Sequence, residues 1–261
     1  YGRNIGLCEA KGNYIALLGA HTIYESNYIR ICIDEIKKTN SIGVSGKVIT
    51  SFESDGSEAQ LCELILTSPF GVSGKSFRTI EEGYTSMVNF PVYRRRVIDE
   101  IGFYDTALLR NQDNDFNRRI IEKGFKLYCT WKTSCKYFPS DSLKQIFSYA
   151  NRNGYWNAKS LSVAPKSMMM HHFIPLLFVT AVLLFAADSV VGFFLGSVIP
   201  LIIFLLIIFT HLLTGFFFAL KIKKFKSARN IFALPFLFFA FHFSYGFGTL
   251  KGLFTPMPKK I

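Results

Sequence analysis

The chain has 261 residues, of which 50% are hydrophobic and 18% are charged, and its mean hydropathy is +0.26. Aromatic residues make up 16% of the chain, and 28 residues are Phe. These values exclude a disordered chain, a collagen-like repeat and a disulfide-rich scaffold. A purely soluble domain is not expected either, because the apolar residues are concentrated in the last third of the chain.

Charge divides the chain in the same way. From His171 to Ile261 the sequence holds eight Lys or Arg but a single acidic residue, Asp188, so this tail carries +7 of the total formal charge of +12. A basic, acid-poor and apolar tail is typical of a membrane region beside an anionic leaflet. Because the basic residues flank apolar stretches and form no stripe on a polar face, no nucleic-acid partner is expected.

The first 139 residues alternate between helical and extended patterns, which predicts an α/β fold. Ser26 is expected to cap a helix whose apolar face is Ile29, Cys32, Ile33 and Ile36. The other predicted elements are, in chain order, a helix from Asn4 to Lys11 closed by a left-handed Gly12, a buried strand from Tyr14 to Leu18, a strand from Val44 to Thr50, a helix from Glu58 to Leu66, a helix from Arg95 to Ile101 ended by Gly102, a helix from Asp113 to Lys123 ended by Gly124, and a strand from Phe125 to Thr130.

Residues 140–170 have a different character. The helical spacing of Leu143, Ile146, Phe147 and Ala150 gives one apolar stripe, and two aromatic residues follow it at positions 155 and 156. An amphipathic helix of this kind directly before apolar spans is typical of a segment that lies in the membrane interface. An ordinary surface helix of the polar domain is the alternative.

Residues 171–261 are predicted to form a transmembrane region of about three helices. The apolar stretches cover residues 173–187, 190–220 and 231–250, and Pro200 is expected either to kink the second stretch or to mark its start. Between the second and third lies a basic cluster at positions 221–229, which the positive-inside rule places in the cytoplasm. The polar domain then also faces the cytoplasm, at the inner membrane. Lys259 and Lys260 would lie outside if the third stretch crosses fully.

The stretch from Arg110 to Arg119 places Asp113 and Asp115 at the start of a predicted helix. On composition alone, two acids there are explained by the favourable interaction of negative side chains with the helix N-terminus. A catalytic interpretation therefore depends on a wider pattern.

That pattern is a resemblance to the family 2 inverting glycosyltransferases, in particular to the C-terminal portion of the membrane-bound branch that builds exopolysaccharides such as succinoglycan. The segments that carry it, in the order of the family, are Gly12-Asn13-Tyr14-Ile15 through Ala20-His21-Thr22, the segment 71–78 (GVSGKSFR), Tyr93-Arg94-Arg95 through Tyr104-Asp105, Arg110-Asn111-Gln112-Asp113, Gly154-Tyr155-Trp156, and the segment 241–246 (FHFSYG).

The resemblance implies an incomplete nucleotide-sugar transferase domain of the GT-A type over residues 1–139, followed by the interfacial segment and the transmembrane region. Its substrates would be a nucleotide-sugar donor and a lipid-linked or polysaccharide acceptor, with membrane lipids as further partners. Asp113 corresponds to the catalytic base of the family, and the substrate-binding positions would be Gln112, Arg119, Arg152 and Trp156. Interfacial anchoring explains Arg152 and Trp156 equally well.

The family also uses a divalent cation, Mg²⁺ or Mn²⁺, against the leaving diphosphate. The branch typically has Asp-Ala-His after the first strand, whereas this chain has Gly19-Ala20-His21. His21 is therefore either a metal ligand, for which Mn²⁺ is better suited than Mg²⁺, or a hydrogen-bonded loop histidine. The family's nucleotide-binding strands would precede Tyr1, so we expect this chain to be part of a longer one. A non-catalytic membrane subunit or inactive fragment that keeps the fold is the alternative function.

Overall fold

The computed structural model describes residues 2–72 and 76–257. The centre of the 71–78 segment, at residues 73–75, and the two terminal lysines at positions 259 and 260 lie outside these residues, as does Tyr1. The helices are α1 (Gly2–Glu9), α2 (Tyr28–Thr39), α3 (Ser57–Thr67), α4 (Arg96–Ile101), α5 (Gln112–Glu122), α6 (Leu143–Val163), α7 (Ile174–Phe194), α8 (Ile199–Leu220) and α9 (Ala228–Phe254). The strands are β1 (Tyr14–Ala16), β2 (Thr22–Tyr24), β3 (Gly43–Thr50), β4 (Gly83–Thr85), β5 (Val92–Arg94) and β6 (Leu127–Tyr137).

One mixed sheet organises the polar part of the chain. Its strand order is β1-β5-β3-β6-β2, and β4 also pairs with β6. The long strands β3 and β6 run parallel, with an irregularity between Gly46 and Lys47, and every other pairing is antiparallel. Helices pack beside this sheet and apolar helices follow it, so the predicted α/β class with a membrane-type C-terminal region is confirmed.

Most of the longer elements lie where the sequence predicts them. The helices α3, α4 and α5 and the strand β3 agree with prediction to within one or two residues, and Gly102 and Gly124 close α4 and α5 with φ of 81° at both residues. The predicted left-handed cap at Gly12 is wrong, because α1 already ends at Glu9 and Gly12 has no positive φ.

The predicted start of the second helix is also wrong. Its N-cap is Asn27 and not Ser26, and Ile29 is exposed while Tyr28 is buried. The Tyr28 hydroxyl donates to the carbonyl of Phe90 and accepts from the N–H of Gly46. Burial and hydrogen bonding of this large side chain therefore fix the rotation of α2 about its axis.

Within the described residues, three helices are long and apolar enough to cross a membrane, over Met170–Phe194, Ile199–Leu220 and Ala228–Phe254. The predicted second span began too early, because residues 190–194 continue α7 and a turn with Gly196 at φ 72° precedes α8. Pro200 lies in the first turn of α8, which confirms that it marks a helix start.

The helix α6 packs lengthwise against α9, and the two backbones touch. A Cβ atom on Gly154 of α6 would overlap the carbonyl oxygen of Tyr245, and one on Gly248 of α9 would overlap the carbonyl of Asn151. Small residues permit this kind of backbone approach between helices in a membrane. The apolar stripe of α6 is covered by protein, since Ile146 and Ala150 are buried in one cluster with residues of α3, α8 and α9.

Replacing Gly154 by Ala is expected to destabilise the protein by about 1–3 kcal/mol, because the added methyl group has no space. Its nearest side-chain neighbour would be Thr249 Oγ1 at 2.8 Å, beside the Tyr245 carbonyl. Unfolding of the purified chain in detergent measures the change. The matched control is Gly6→Ala, because a Cβ at Gly6 in α1 has nothing within 4 Å; equal stabilities of the two variants would contradict the backbone contact.

Candidate active site

The loop before α5 holds the motif that carries the proposed chemistry. Asn111 precedes the first residue of α5 with a left-handed φ of 60°, a conformation that asparagine tolerates better than most residues. The Gln112 side-chain amide donates to the carbonyl of Leu108 and so closes the turn on itself. Asp113 follows in the first helical turn, where the helix N-terminus favours a negative side chain.

Asp113 is half-buried, and its Oδ1 accepts the N–H of Asn114 at 3.1 Å. Burial raises the pKa of Tyr93 and of Tyr104, and the negative charge of Asp113 raises the pKa of both phenols further. The carboxylate therefore lies near the buried phenol rings of Tyr93 and Tyr104. Its second oxygen makes no side-chain hydrogen bond within the described part of the chain, and so it can accept a proton.

The second acid of the motif has a structural partner. Asp115 is buried, and its Oδ2 accepts from Arg119 Nε at 3.0 Å. The other two guanidinium nitrogens of Arg119 donate to the carbonyls of Ile101 and Phe103 at 2.7 and 2.8 Å. All three guanidinium nitrogens of Arg119 thus bind protein groups and hold α5 against the end of α4, and its substrate contact stays a prediction from the resemblance.

A chain of amides connects the motif loop to a membrane span. The Nδ2 of Asn111 donates to Asn157 Oδ1 at 2.7 Å and to Ser160 Oγ at 3.1 Å, both on α6. Asn157 is buried, and its own Nδ2 donates to the hydroxyl of Tyr245 on α9. Arg110 adds a second link, from its Nη1 to Asn153 Oδ1 at 2.6 Å. The position of Asp113 therefore depends on α6 and α9 as well as on the sheet.

Arg152 and Trp156, the two predicted substrate-binding residues of α6, have different surroundings. Arg152 is exposed and lines a cleft together with Tyr137 and Tyr149. The ring of Trp156 is half-buried and meets the ring of Tyr155 edge-on, with centroids 5.9 Å apart. Asp113 does not line this cleft, but Arg110 lies beside it, 5.5 Å from the centroid of the Tyr149 ring.

His21 is exposed in the turn between β1 and β2, where its carbonyl accepts the N–H of Phe138. It makes no hydrogen bond with Asp113, and the described residues contain no group of three or more His, Cys, Asp or Glu that could hold a metal ion. A Cβ at Gly19 would lie 2.6 Å from the Phe90 ring and 2.8 Å from Thr22 Oγ1. Phe90 thus fills the space beside the position of the missing carboxylate, and these residues do not by themselves form a metal centre.

A loop of the polar domain enters the helical bundle. The ring of Phe70, which follows α3, lies 5.2 Å from the rings of both His211 and Phe238 and 5.0 Å from that of His242. His211 Nε2 and His242 Nδ1 are 3.0 Å apart, so α8 and α9 are hydrogen-bonded beside this ring. Phe70 therefore attaches the polar domain to the spans in addition to the contacts through α6.

Sequence reasoning missed the roles of Asn111, Asn157, Tyr245 and Phe70. One signal was present for the first three, since Asn153, Asn157 and Ser160 recur at helical spacing and make a polar face on α6. Such a face is usually solvated, and only the tertiary arrangement shows that here it meets the motif loop. No sequence pattern pointed to Phe70, because one Phe among 28 carries no positional information.

Comparison with known proteins gives two relatives, and no protein-family model matches the chain. Over 260 residues the chain is 28% identical to dolichyl N-acetyl-alpha-D-glucosaminyl phosphate 3-beta-D-2,3-diacetamido-2,3-dideoxy-beta-D-glucuronosyltransferase of Methanococcus voltae, and the match covers 97% of this chain and 74% of that protein. It is 23% identical over 155 residues to succinoglycan biosynthesis protein ExoA of Rhizobium meliloti (strain 1021), covering 56% of this chain and 44% of that protein. The predicted resemblance to family 2 glycosyltransferases is thereby confirmed, together with the enzyme class.

The amide chain predicts an energetic coupling between the motif loop and α6. Asn111→Ala and Asn157→Ala are each expected to lower the free energy of unfolding by about 1–3 kcal/mol, because each leaves a polar partner unsatisfied. The double variant should lose less than the sum, with a coupling of about 0.5–3 kcal/mol. Denaturant unfolding in detergent measures the free energies of unfolding from which this coupling is calculated. Ser162→Ala, at an exposed position of the same helix, should be additive with Asn111→Ala; additivity of the Asn157 pair would refute the link.

Proposed function

Because the chain is similar to glycosyltransferases along nearly its whole length, we propose that it transfers a sugar from a nucleotide-sugar donor to a lipid-linked acceptor, with inversion, at the cytoplasmic face of the membrane. The observation that carries the proposal is the position of Asp113, a half-buried acid in the first turn of α5 whose loop is hydrogen-bonded to the membrane-associated helices. Lipid linkage is supported by the name of the Methanococcus relative, which describes transfer onto a dolichyl N-acetylglucosaminyl phosphate.

In the proposed reaction, Asp113 removes the proton from an acceptor hydroxyl while the oxygen attacks the anomeric carbon. The bond from that carbon to the nucleotide diphosphate breaks in the same step, which inverts the configuration. The carboxylate is suited to this task because one oxygen is held by the N–H of Asn114 while the other is available. No step is assigned to His21 or to a cation.

We propose that two further residues of the motif hold the base Asp113 in position. Gln112 fixes the turn that precedes the base, and Arg119 ties α5 to the carbonyls that follow α4. Arg152 faces the cleft beside α6, on the side from which an acceptor held in the bilayer would approach. These contacts support a site in which the polar domain supplies the base and α6 supplies acceptor contacts.

We propose the same division of the chain that the sequence indicates, with a partial catalytic domain over residues 1–139, an interfacial segment over 140–170 and a transmembrane region over 171–261. The protein packing of the α6 stripe means that any contact of this segment with lipid uses its other faces. Placement of the catalytic part in the cytoplasm is supported by a salt bridge of 2.6 Å between Lys224, in the basic loop between α8 and α9, and Glu63 of α3. The basic loop and the polar domain therefore lie on one side.

Asp113→Asn is expected to lower the rate of sugar transfer by about 10²–10⁴-fold, because the amide cannot accept the proton. The measurement is transfer of radiolabelled sugar from a panel of nucleotide sugars to lipid extract by membranes that contain the full chain. The matched control is Asp99→Asn, which removes an exposed acid from the first turn of α4 and should leave the rate unchanged. Full activity of the Asp113 variant would reject its role as the base.

The orientation is checked by cysteine labelling, since Cys8 is exposed and the other four cysteines are buried. A membrane-impermeant maleimide should label Cys8 in inverted vesicles but not in intact spheroplasts. In a Cys8→Ser background, a cysteine replacing Lys223 should behave like Cys8, and one replacing Leu195, in the turn between α7 and α8, should show the opposite pattern. Labelling of Cys8 from outside the cell contradicts the cytoplasmic placement.

A further inference from the structure

A basic cleft lies at the junction of the polar domain and the spans. It is lined by Arg78, Arg152, Tyr137, Tyr149 and Gln145, with the apolar side chains of Leu66 and Ile146 on another wall. Among the described residues, no Asp or Glu lines it. A site with two guanidinium groups and no carboxylate is suited to an anion.

The position of a third arginine strengthens the positive field. Arg110 lies over the Tyr149 ring, 5.5 Å from its centroid. Burial raises the pKa of the Tyr137 phenol, whereas the positive charges of Arg78 and Arg110 lower it, which places both charges near the same ring. Arg110 stands three positions before Asp113, so the field of the cleft extends to the motif loop.

Arg78 lines this cleft and has one buried donor without a partner. Its guanidinium lies 4.3 Å from the centroid of Phe77 and 5.6 Å from that of Tyr137, while its Nε is buried without a hydrogen-bond partner among the described residues. A buried N–H without a partner is destabilising, so this guanidinium gains from a shift that brings it to an anionic oxygen in the cleft. The planar guanidinium is the group that binds phosphate oxygens in pairs.

The apolar wall connects the cleft to the membrane-spanning helices. Leu66 and Ile146 belong to one buried cluster with Ala219 of α8 and with Leu234 and Phe238 of α9. A ligand in the cleft therefore meets arginine and tyrosine on the polar side and continuous apolar packing on the side of the spans. This distribution is complementary to a phosphate attached to a hydrocarbon chain, and it is less suited to a nucleotide diphosphate, which has no apolar tail.

We propose that this cleft binds the phosphate of an isoprenoid-phosphate-linked acceptor through Arg78 and Arg152, with Arg110 contributing charge. The inference rests on the proposed function for the identity of the ligand as acceptor. Its chemistry, binding of a lipid phosphate, can be measured without any sugar transfer.

The experiment measures binding of farnesyl phosphate to the full chain in detergent by native mass spectrometry or thermophoresis. Arg78→Gln and Arg152→Gln should each weaken binding by about tenfold or more, because each removes a charge-assisted hydrogen bond. Arg152→Lys should weaken it less than Arg152→Gln, since charge remains while the paired donors are lost. Arg30→Gln, at an exposed position of α2, is the matched control and should bind like the unaltered chain.

Binding of farnesol and of UDP tests whether the cleft recognises a lipid phosphate or the phosphate of a nucleotide. Farnesol should bind at least tenfold more weakly than farnesyl phosphate, and UDP affinity should be unaffected by the Arg152 variants. Loss of UDP affinity with unchanged farnesyl phosphate affinity would assign the cleft to the donor and overturn the proposal. Equal binding of farnesyl phosphate by Arg152→Gln and the control would also overturn it, and because Arg152 is exposed this variant is expected to fold.

The Asp113→Asn variant distinguishes this inference from the proposed function. If it loses transfer but binds farnesyl phosphate normally, both proposals stand. If it retains full transfer, the role of Asp113 as the base is rejected. The binding results for the arginine variants then still show whether the cleft binds a lipid phosphate.

Discussion

The close approach of α6 to α9 is the contact on which the rest of the site depends. Gly154 on one helix and Gly248 and Gly252 on the other bring the two backbones into contact. Lipid tails are as apolar as leucine, so burial of apolar surface does little to drive helices together in a bilayer, and close packing of small residues must do so. A Cβ atom at any of these glycines separates the helices, and the polar contacts that α6 makes with the motif loop move with it.

Polar contacts make this packing specific. The buried side chain of Lys159 donates to the carbonyls of Gly252 and Thr255 at the C-terminal end of α9, where the helix dipole favours a positive charge. Together with the amides of Asn111 and Asn157, it ties α6 to one register against α9 and the motif loop. A shift of α6 by one turn would leave a charged amine and an amide buried without partners, which is a larger penalty than the loss of any single apolar contact.

The parts that the sequence predicted are those decided by local physics. Helix α5 and its acids follow from periodicity and from the glycine at its end, and the spans follow from uninterrupted apolar length. The three-residue strands β2, β4 and β5 were not predicted, because segments this short show no alternation and form only by pairing with β6, β3 or β1. The carbonyl contacts of Arg119 were not predicted for a related reason, since these partners lie 16 and 18 positions away and no pattern within α5 indicates them.

The site differs at one position from the glycosyltransferases that the chain resembles. Gly19 stands where the resemblance implies a carboxylate, and Phe90, held at a φ of 55°, occupies the adjacent space, so an Asp at position 19 requires the ring to move. Negative charge on a substrate must then be met elsewhere, and the arginines at positions 78, 110 and 152 are grouped on the face nearest the spans. Helix α6, which packs against α9, carries Arg152 and also binds Arg110 through Asn153. An excised polar domain would keep Asp113 but lose the contacts of its loop with α6 and α9, so in the proposed function the spans belong to the site and also attach it to the membrane.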